Sequence, residues 1–274
     1  MMGLRNTTGV YAIIGLGLLL TALACSNEQE LENVEVDMGY EYFPLGIGRS
    51  WTYTVDSVVF VPEVGEIRQD SSRTLVREIL VDTTRSLSGE LLYRGERYER
   101  KSDTLPWAFR KVFTLYRSER QAVRQEDNVP VVVLSFPNSL NASWSPAAYF
   151  DANTNFPVAG ESVAIYDGWE TVVTDRGRPF LLRDTTYTST LSTENIFFES
   201  ENIWREAQDR YAAGIGLVER QWRILDLEGC NVCCDLDGDG QSSTIEEFDL
   251  CDSLTPIGRT ERGFILRQRL IDYR

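Results

Sequence analysis

The residues best suited to chemistry in this sequence lie in an acidic stretch near the C-terminus, residues 230–251. Within it, Asp235, Asp237 and Asp239 occupy alternate positions, with a glycine at the expected sharp bend. This spacing directs three carboxylates to one point, and calcium prefers about six to eight oxygen ligands. In a calcium loop that begins at Asp235, Gln241 offers its backbone carbonyl and Glu246 a bidentate carboxylate. The pattern predicts a structural calcium site formed by these residues.

The acidic loop departs from a standard EF-hand loop. The position after Gln241 is usually aliphatic there, whereas this chain has Ser242, and Ile245 stands further along. A cysteine-rich run over residues 230–234 replaces the helix that normally precedes such a loop. The segment therefore resembles an EF-hand or thrombospondin-repeat calcium loop outside a paired calcium sensor. The alternative is an acidic turn without metal, because Asp-Gly pairs are ordinary turn formers.

A second position with chemical potential is Cys25, at the end of an apolar run that follows Arg5. The run from residue 10 to residue 24 has no charge and fits the h-region of an export signal, but it is short for a membrane span. A small residue before the cysteine resembles the lipobox of lipoprotein signal peptidase, although Ala22 stands where that motif prefers leucine. We predict cleavage after Ala24 and lipidation of Cys25. An ordinary cleaved signal and an uncleaved anchor are the alternatives.

Four further cysteines, Cys230, Cys233, Cys234 and Cys251, lie in the acidic stretch. In an exported chain, cysteines this close together are expected to form disulfides. A bond between the neighbours Cys233 and Cys234 would be strained. The other pairings connect Cys251 to Cys233 or Cys234 and close a loop around the acidic segment. A four-cysteine zinc site is the alternative, because residues 230–233 have C-x-x-C spacing.

The composition excludes several kinds of catalysis and one class of partner. The chain has no histidine, so Ser-His-Asp triads, Cys-His pairs and His-ligated zinc sites are impossible. Carboxylate-only catalysis stays open, as in glycoside hydrolysis. With 42 acidic and 27 basic residues, the net charge of −15 argues against binding to nucleic acid.

From residue 40 onward, short runs of Val, Ile, Thr, Tyr, Phe and Trp alternate with Gly, Pro, Asp and Asn. This alternation of β-forming runs and turn residues is typical of strands separated by turns. Trp51, Tyr53 and Val55 share one face of the first run. Residues 193–208 are predicted as strand or one short helix. The other predicted strands are 51–61, 74–81, 91–100, 107–117, 119–125, 129–136, 162–174, 179–191, 215–225 and 263–272.

Short polar turns between successive strands indicate an antiparallel meander, and about ten such strands should curl into one sheet. The expected fold is all-β, a barrel or half-barrel of the lipocalin or LolA kind, with a β-sandwich as the alternative. The expected organisation is a signal peptide over residues 1–24, an acidic tether over 25–38 and one β-rich domain over 39–274. Residues 228–256 form a cysteine-rich acidic insertion in that domain.

A run of motifs resembles the opening of uncharacterised Bacteroidota lipoproteins. It consists of YFPL at residues 42–45, Gly48, Trp51, Tyr53 and VDS at residues 55–57. The same resemblance continues at Phe136-Pro137 with Trp144, at residues 211–218 and at residues 269–273. It implies a β-rich domain on a lipid anchor and supplies no activity or catalytic residue. The insertion over 228–256 has no counterpart in that pattern.

These features lead to two hypotheses about function. The first is a non-enzymatic lipoprotein of the bacterial outer membrane, on the periplasmic face or the cell surface. It would bind a protein, a glycan or an apolar molecule, or serve as a structural surface protein, with a calcium-braced loop. The second is a glycan hydrolase that works with carboxylates. A pair of buried carboxylates in a cleft would favour the hydrolase, and an apolar cavity inside the sheet would favour a carrier.

Overall fold

A computed structural model describes residues 36–64, 66–200, 202–227 and 256–274 of the chain. Asp37–Arg274 forms one compact unit. No helix within these residues is long and apolar enough to cross a membrane. The part of the chain that is described consists of β-strands, with short 3₁₀ turns at Tyr40–Tyr42 and Pro256–Arg259. The predicted all-β class is therefore confirmed.

Most of the predicted runs form strands, but two predictions were wrong in their bounds. Residues 164–170 interrupt the predicted strand 162–174, and a turn at residues 183–184 interrupts the predicted strand 179–191. The strands are β1 (Ser50–Glu63), β2 (Glu66–Arg85), β3 (Leu91–Arg100), β4 (Ala108–Arg117), β5 (Gln121–Glu126), β6 (Val129–Ser135), β7 (Ser143–Trp144), β8 (Phe156–Val158), β9 (Glu161–Val163), β10 (Thr171–Leu182), β11 (Thr185–Glu199), β12 (Ile203–Ala212), β13 (Gly216–Leu227) and β14 (Thr260–Tyr273). Residues 193–208, predicted as strand or a short helix, form the end of β11 and the start of β12. A hydrogen bond from the Ser200 amide to the Ile203 carbonyl closes the turn between them.

Twelve strands form one antiparallel sheet in the order β6-β5-β4-β3-β2-β1-β14-β13-β12-β11-β10-β7. Most neighbours in the sheet are also neighbours in sequence, as expected for a meander. The exception at the centre is β14, which pairs with β1 along Trp51–Phe60 and so joins the two ends of the folded chain. Strands β8 and β9 form a separate hairpin.

The two ends of the sheet approach each other. The Val132 amide on β6 donates to the Pro146 carbonyl just beyond β7, at 3.0 Å. The indole Nε1 of Trp144 on β7 donates to the Val132 carbonyl at 3.1 Å. The right-handed twist of strands makes a sheet of this width curl. The result is a nearly closed, barrel-like sheet, as the first fold hypothesis predicted, and not the alternative of two packed sheets.

Alternation along the strands decides which side chains point into the curl. Trp51, Tyr53 and Val55 are buried in the main core, as their shared face predicted. On β2, the buried row is Val76, Glu78 and Leu80. This row places one carboxylate between two fully buried apolar side chains.

Candidate ligand-binding cavity

The residues that the sequence predicted to do chemistry all lie outside the part of the chain that the structure describes. They are Cys25 for lipidation, Asp235, Asp237, Asp239, Gln241 and Glu246 for calcium, and Cys230, Cys233, Cys234 and Cys251 for disulfides. Among the residues that are described, no group of three or more Cys, Asp or Glu side chains is arranged to hold a metal ion. Calcium binding and disulfide formation therefore stay predictions. The described chain offers a different site.

A cavity of about 370 Å³ lies inside the curled sheet. Its lining comes from strands all around the curl, from β1 to β6 and from β10 to β14, and from the segment between β7 and β10. Successive residues of a strand point to opposite faces, so each strand contributes only a few side chains. The closure of the sheet brings these side chains together from distant parts of the sequence.

One wall of the cavity is aromatic. Phe156, Tyr166 and Trp169 come from the segment between β7 and β10, and Trp222 comes from β13. Their ring centroids lie 5.5 Å apart for Phe156 and Tyr166, 5.0 Å for Tyr166 and Trp169, and 4.9 Å for Trp169 and Trp222. All three contacts are edge-to-face, the geometry that the quadrupoles of aromatic rings favour. The wall thus presents apolar surface in fixed orientations.

A second part of the lining is an ion network around Arg124 on β5. The Arg124 guanidinium donates from Nη1 and Nη2 to the two carboxylate oxygens of Glu78, at 2.9 and 2.6 Å. The same side chain also pairs with Glu126 and stacks over the Phe113 ring at 4.1 Å. On its other side, the Glu126 carboxylate accepts from Lys111 Nζ at 3.0 Å. Each of these charges therefore has an opposite charge beside it.

The network holds Glu126 and Arg124 in their charged forms. Burial opposes ionisation of Glu126, but attraction to Arg124 and Lys111 outweighs it and lowers the pKa of this carboxyl to about 2. Burial likewise opposes the charge on Arg124, yet Glu78 and Glu126 raise the pKa of the guanidinium above its usual range. These residues are therefore ionised at neutral pH.

A separate ion pair lies between β12 and β13. Asp209 accepts from Arg220 Nε at 2.8 Å and Nη2 at 2.7 Å, which is the bidentate geometry that makes such pairs strong. The Trp222 indole donates to the same carboxylate at 3.1 Å, which ties the aromatic wall to this pair. Burial, and then the Asp209 charge, raise the pKa of the Tyr211 phenol. Tyr211 is thus a neutral hydroxyl in the lining.

Neutral polar groups complete the lining. Asn195, Thr171 and Gln268 are all buried, and Thr171 Oγ1 donates to Asn195 Oδ1 at 3.1 Å. Burial raises the pKa of Tyr166 to about 12, so its hydroxyl is uncharged at neutral pH. These groups can donate and accept hydrogen bonds without adding charge.

Sequence reasoning did not single out the charged residues of the cavity. The available signal was a charge in an otherwise apolar row, as for Glu78 between Val76 and Leu80. Alternation alone cannot distinguish an inward charge from a solvated one, because the partner Arg124 belongs to a strand far along the chain from Glu78. Only the closed sheet shows which charged residues face inward.

The fold and the cavity together define an all-β protein with a nearly closed antiparallel sheet around a small-molecule-sized space. No family model matches the chain, and no curated protein matches it. Among solved structures, it is similar to a candidate lipoprotein from Parabacteroides distasonis, at 10% identity and a TM-score of 0.34, covering 85% of this chain and 98% of that one. It is also similar to a candidate exported protein with a YmcC-like fold from Bacteroides fragilis, at 8% identity, a TM-score of 0.33 and the same coverage.

Proposed function

We propose that this protein is a lipid-anchored lipoprotein of the bacterial outer membrane, on the periplasmic face or the cell surface, that binds a small molecule without catalysis. The observation that supports binding is the cavity of about 370 Å³ inside the sheet, with its aromatic wall of Phe156, Tyr166, Trp169 and Trp222. Ligand sites in proteins typically measure about 300–1,000 Å³ and combine apolar walls with a few polar groups.

The hydrolase hypothesis finds less support in the same cavity. Glu78 and Glu126 are close together, since both contact the guanidinium of Arg124. A glycosidase needs one carboxyl with a raised pKa to protonate the leaving group. The pKa of Glu126 is instead lowered to about 2, and Arg124 donates to both carboxylate oxygens of Glu78 and pairs with Glu126.

Binding can be tested with three naphthalene probes of one shape: uncharged 2-acetylnaphthalene, anionic 2-naphthoate and cationic 1-(2-naphthyl)ethylammonium. At least one should quench the fluorescence of the lining tryptophans in the purified protein. Leu266→Trp places an indole in the cavity and should weaken binding at least tenfold. Ile271→Trp alters an exposed position of the same strand and should leave binding unchanged. If no probe binds, or both variants bind alike, ligand binding in this cavity is refuted.

The lipid anchor gives a second prediction. Cys25→Ser should move the protein from the membrane fraction to the soluble fraction, because acyl chains on this cysteine provide the stable attachment. The measurement is fractionation of cells that express each variant, with the mass of the membrane-bound form to detect the lipid. Cys251→Ser, which removes a different cysteine, serves as the matched control and should stay with the membrane. Equal partitioning of the two variants would contradict lipidation at Cys25.

The proposed calcium loop gives a third prediction. Removal of calcium with EDTA should lower the melting temperature by several degrees, because a ligand that binds only the folded state stabilises it. Glu246→Gln should remove most of this response, since it lacks the bidentate carboxylate that the loop needs. Glu247→Gln changes the neighbouring carboxylate and should respond to EDTA like the unmodified chain. An unchanged melt, together with no metal in the purified protein, would rule the site out.

A further inference from the structure

The charges that line the cavity are balanced. Among the residues that the structure describes, four basic and four acidic side chains contribute to it: Arg97, Lys111, Arg124 and Arg220, and Glu78, Glu126, Asp127 and Asp209. Their formal charges sum to zero. A cavity that bound an organic anion or cation by charge would be expected to have an excess of the opposite sign.

Each of these charges also has an opposite charge beside it. Arg220 is held by Asp209 through two hydrogen bonds, at 2.8 and 2.7 Å. Lys111 Nζ contacts both Glu126 and Asp127, at 3.0 and 3.1 Å. Both basic groups, Arg220 and Lys111, therefore have an acidic neighbour.

The remaining charges belong to the network around Glu78. Arg124 donates to both oxygens of Glu78, and Arg97 Nη1 lies 3.7 Å from the same carboxylate. Arg97 Nε also contacts Glu99 at 3.1 Å. Every charged lining residue of the described chain is therefore already neutralised by a partner.

This pairing disfavours a charged ligand. An ion that enters the cavity loses its hydration and gains a counter-charge only by breaking an existing pair, which leaves another charge uncompensated. An uncharged molecule meets no such cost. Its apolar part can contact the rings of Tyr166, Trp169 and Trp222, and its polar atoms can bond to Asn195 or Gln268.

We propose that the cavity accepts an uncharged amphipathic molecule, a flat apolar ring or short chain with a hydroxyl or carbonyl group, and rejects organic ions of the same shape. This inference rests on the proposed binding function and specifies its ligand class. The paired lining charges act as a barrier to ions, and the aromatic wall supplies the attraction.

The three naphthalene probes test the inference directly, because they share a ring system and differ in charge. In the purified protein, 2-acetylnaphthalene should bind at least tenfold more tightly than 2-naphthoate and 1-(2-naphthyl)ethylammonium, as measured by tryptophan quenching. If either ion binds as tightly as the ketone, the inference is overturned while ligand binding stands. If none of the three binds, it is the proposed function itself that fails.

A matched pair of variants tests the cause. Asp209→Asn leaves Arg220 without its carboxylate, so the affinity for 2-naphthoate relative to the ketone should rise at least tenfold. Glu206→Gln makes the same chemical change on the same strand, at a carboxylate outside the cavity that pairs with Arg223, and should leave the ratio unchanged. Circular dichroism melts establish that both variants fold. If the Asp209→Asn variant folds and its affinity for 2-naphthoate relative to the ketone is unchanged, the paired charges are not the cause of the selectivity. The comparison of the three probes on the unmodified chain does not depend on this variant.

Discussion

Replacement of Arg124 by methionine is expected to destabilise the fold by about 3 kcal/mol, because it leaves two carboxylates inside the sheet without their main counter-charge. The side chain of Glu78 is only 6% exposed, so water compensates poorly for the lost guanidinium. Methionine keeps much of the contact with the Phe113 ring, and the effect therefore reports charge more than volume.

Urea unfolding followed by tryptophan fluorescence measures this loss. The control is Arg73→Met, which removes an arginine from an ion pair with Asp56 on the solvent side of the sheet, where the Arg73 side chain is 73% exposed. Its unfolding midpoint should stay close to that of the unmodified chain, because exposed pairs contribute little. Similar midpoints for Arg124→Met and the unmodified chain would show that the interior network does not stabilise the fold.

The same variant should change the response to acid. The pKa of Glu126 is about 2 in the folded protein, below its ordinary value of 4.5, so this carboxylate contributes stability above pH 4.5. That contribution is lost as the pH falls from 4.5 towards 2, because the unfolded chain then binds the proton more readily. Arg124→Met lacks the main cause of the shift. The stability difference between the two proteins should accordingly be larger at pH 7 than at pH 3.

Gly263→Ala on β14 is also expected to lower the free energy of unfolding by about 3 kcal/mol. The causes are backbone strain at a positive φ and a steric clash of the added methyl group. The backbone of Gly263 has φ of +120°, a conformation that side chains rarely adopt. A Cβ there would lie 2.1 Å from the Ile224 carbonyl oxygen and 3.0 Å from the Leu225 Cα. Both atoms belong to the backbone of β13, which pairs with β12 on its other side and cannot move away easily.

Gly214→Ala separates the two causes of this loss. Gly214 also has a positive φ, of +74°, but it lies in the turn between β12 and β13, and a Cβ there meets nothing within 4 Å. Its cost should be that of the backbone conformation alone, about 1 kcal/mol. Thermal unfolding of both variants provides the comparison. Equal melting temperatures would mean that β13 and β14 adjust to the added methyl group.

The strands of this protein could be predicted from local pattern because each strand contains its own signal. The alternation of Trp51, Tyr53 and Val55 reflects the two-residue period of a strand with one buried face. The one ambiguous segment, residues 193–208, combined β-branched and aromatic residues with a weak helical spacing. In the structure this segment is strand, because the backbone groups of β11 and β12 hydrogen-bond to each other.

The candidate site could not be predicted in the same way. Glu78 and Arg124 are ordinary strand charges until the sheet curls, because they lie on β2 and β5, which are not neighbours in the sheet. The aromatic wall has the same origin: Trp169 and Trp222 are separated by three strands in sequence and are in ring contact in the fold. These side chains come into contact only when the sheet curls and closes.

The sequence by itself determined the all-β class and the positions of most strands, because these depend on residue type and local spacing. The chemistry at Cys25 and residues 230–251 stays a prediction from the sequence. The tertiary structure decided the strand order, the pairing of β1 with β14 and the cavity with its balanced charges. The physical reason is that a side chain's face follows from its own strand, whereas its partners depend on contacts made across the whole sheet.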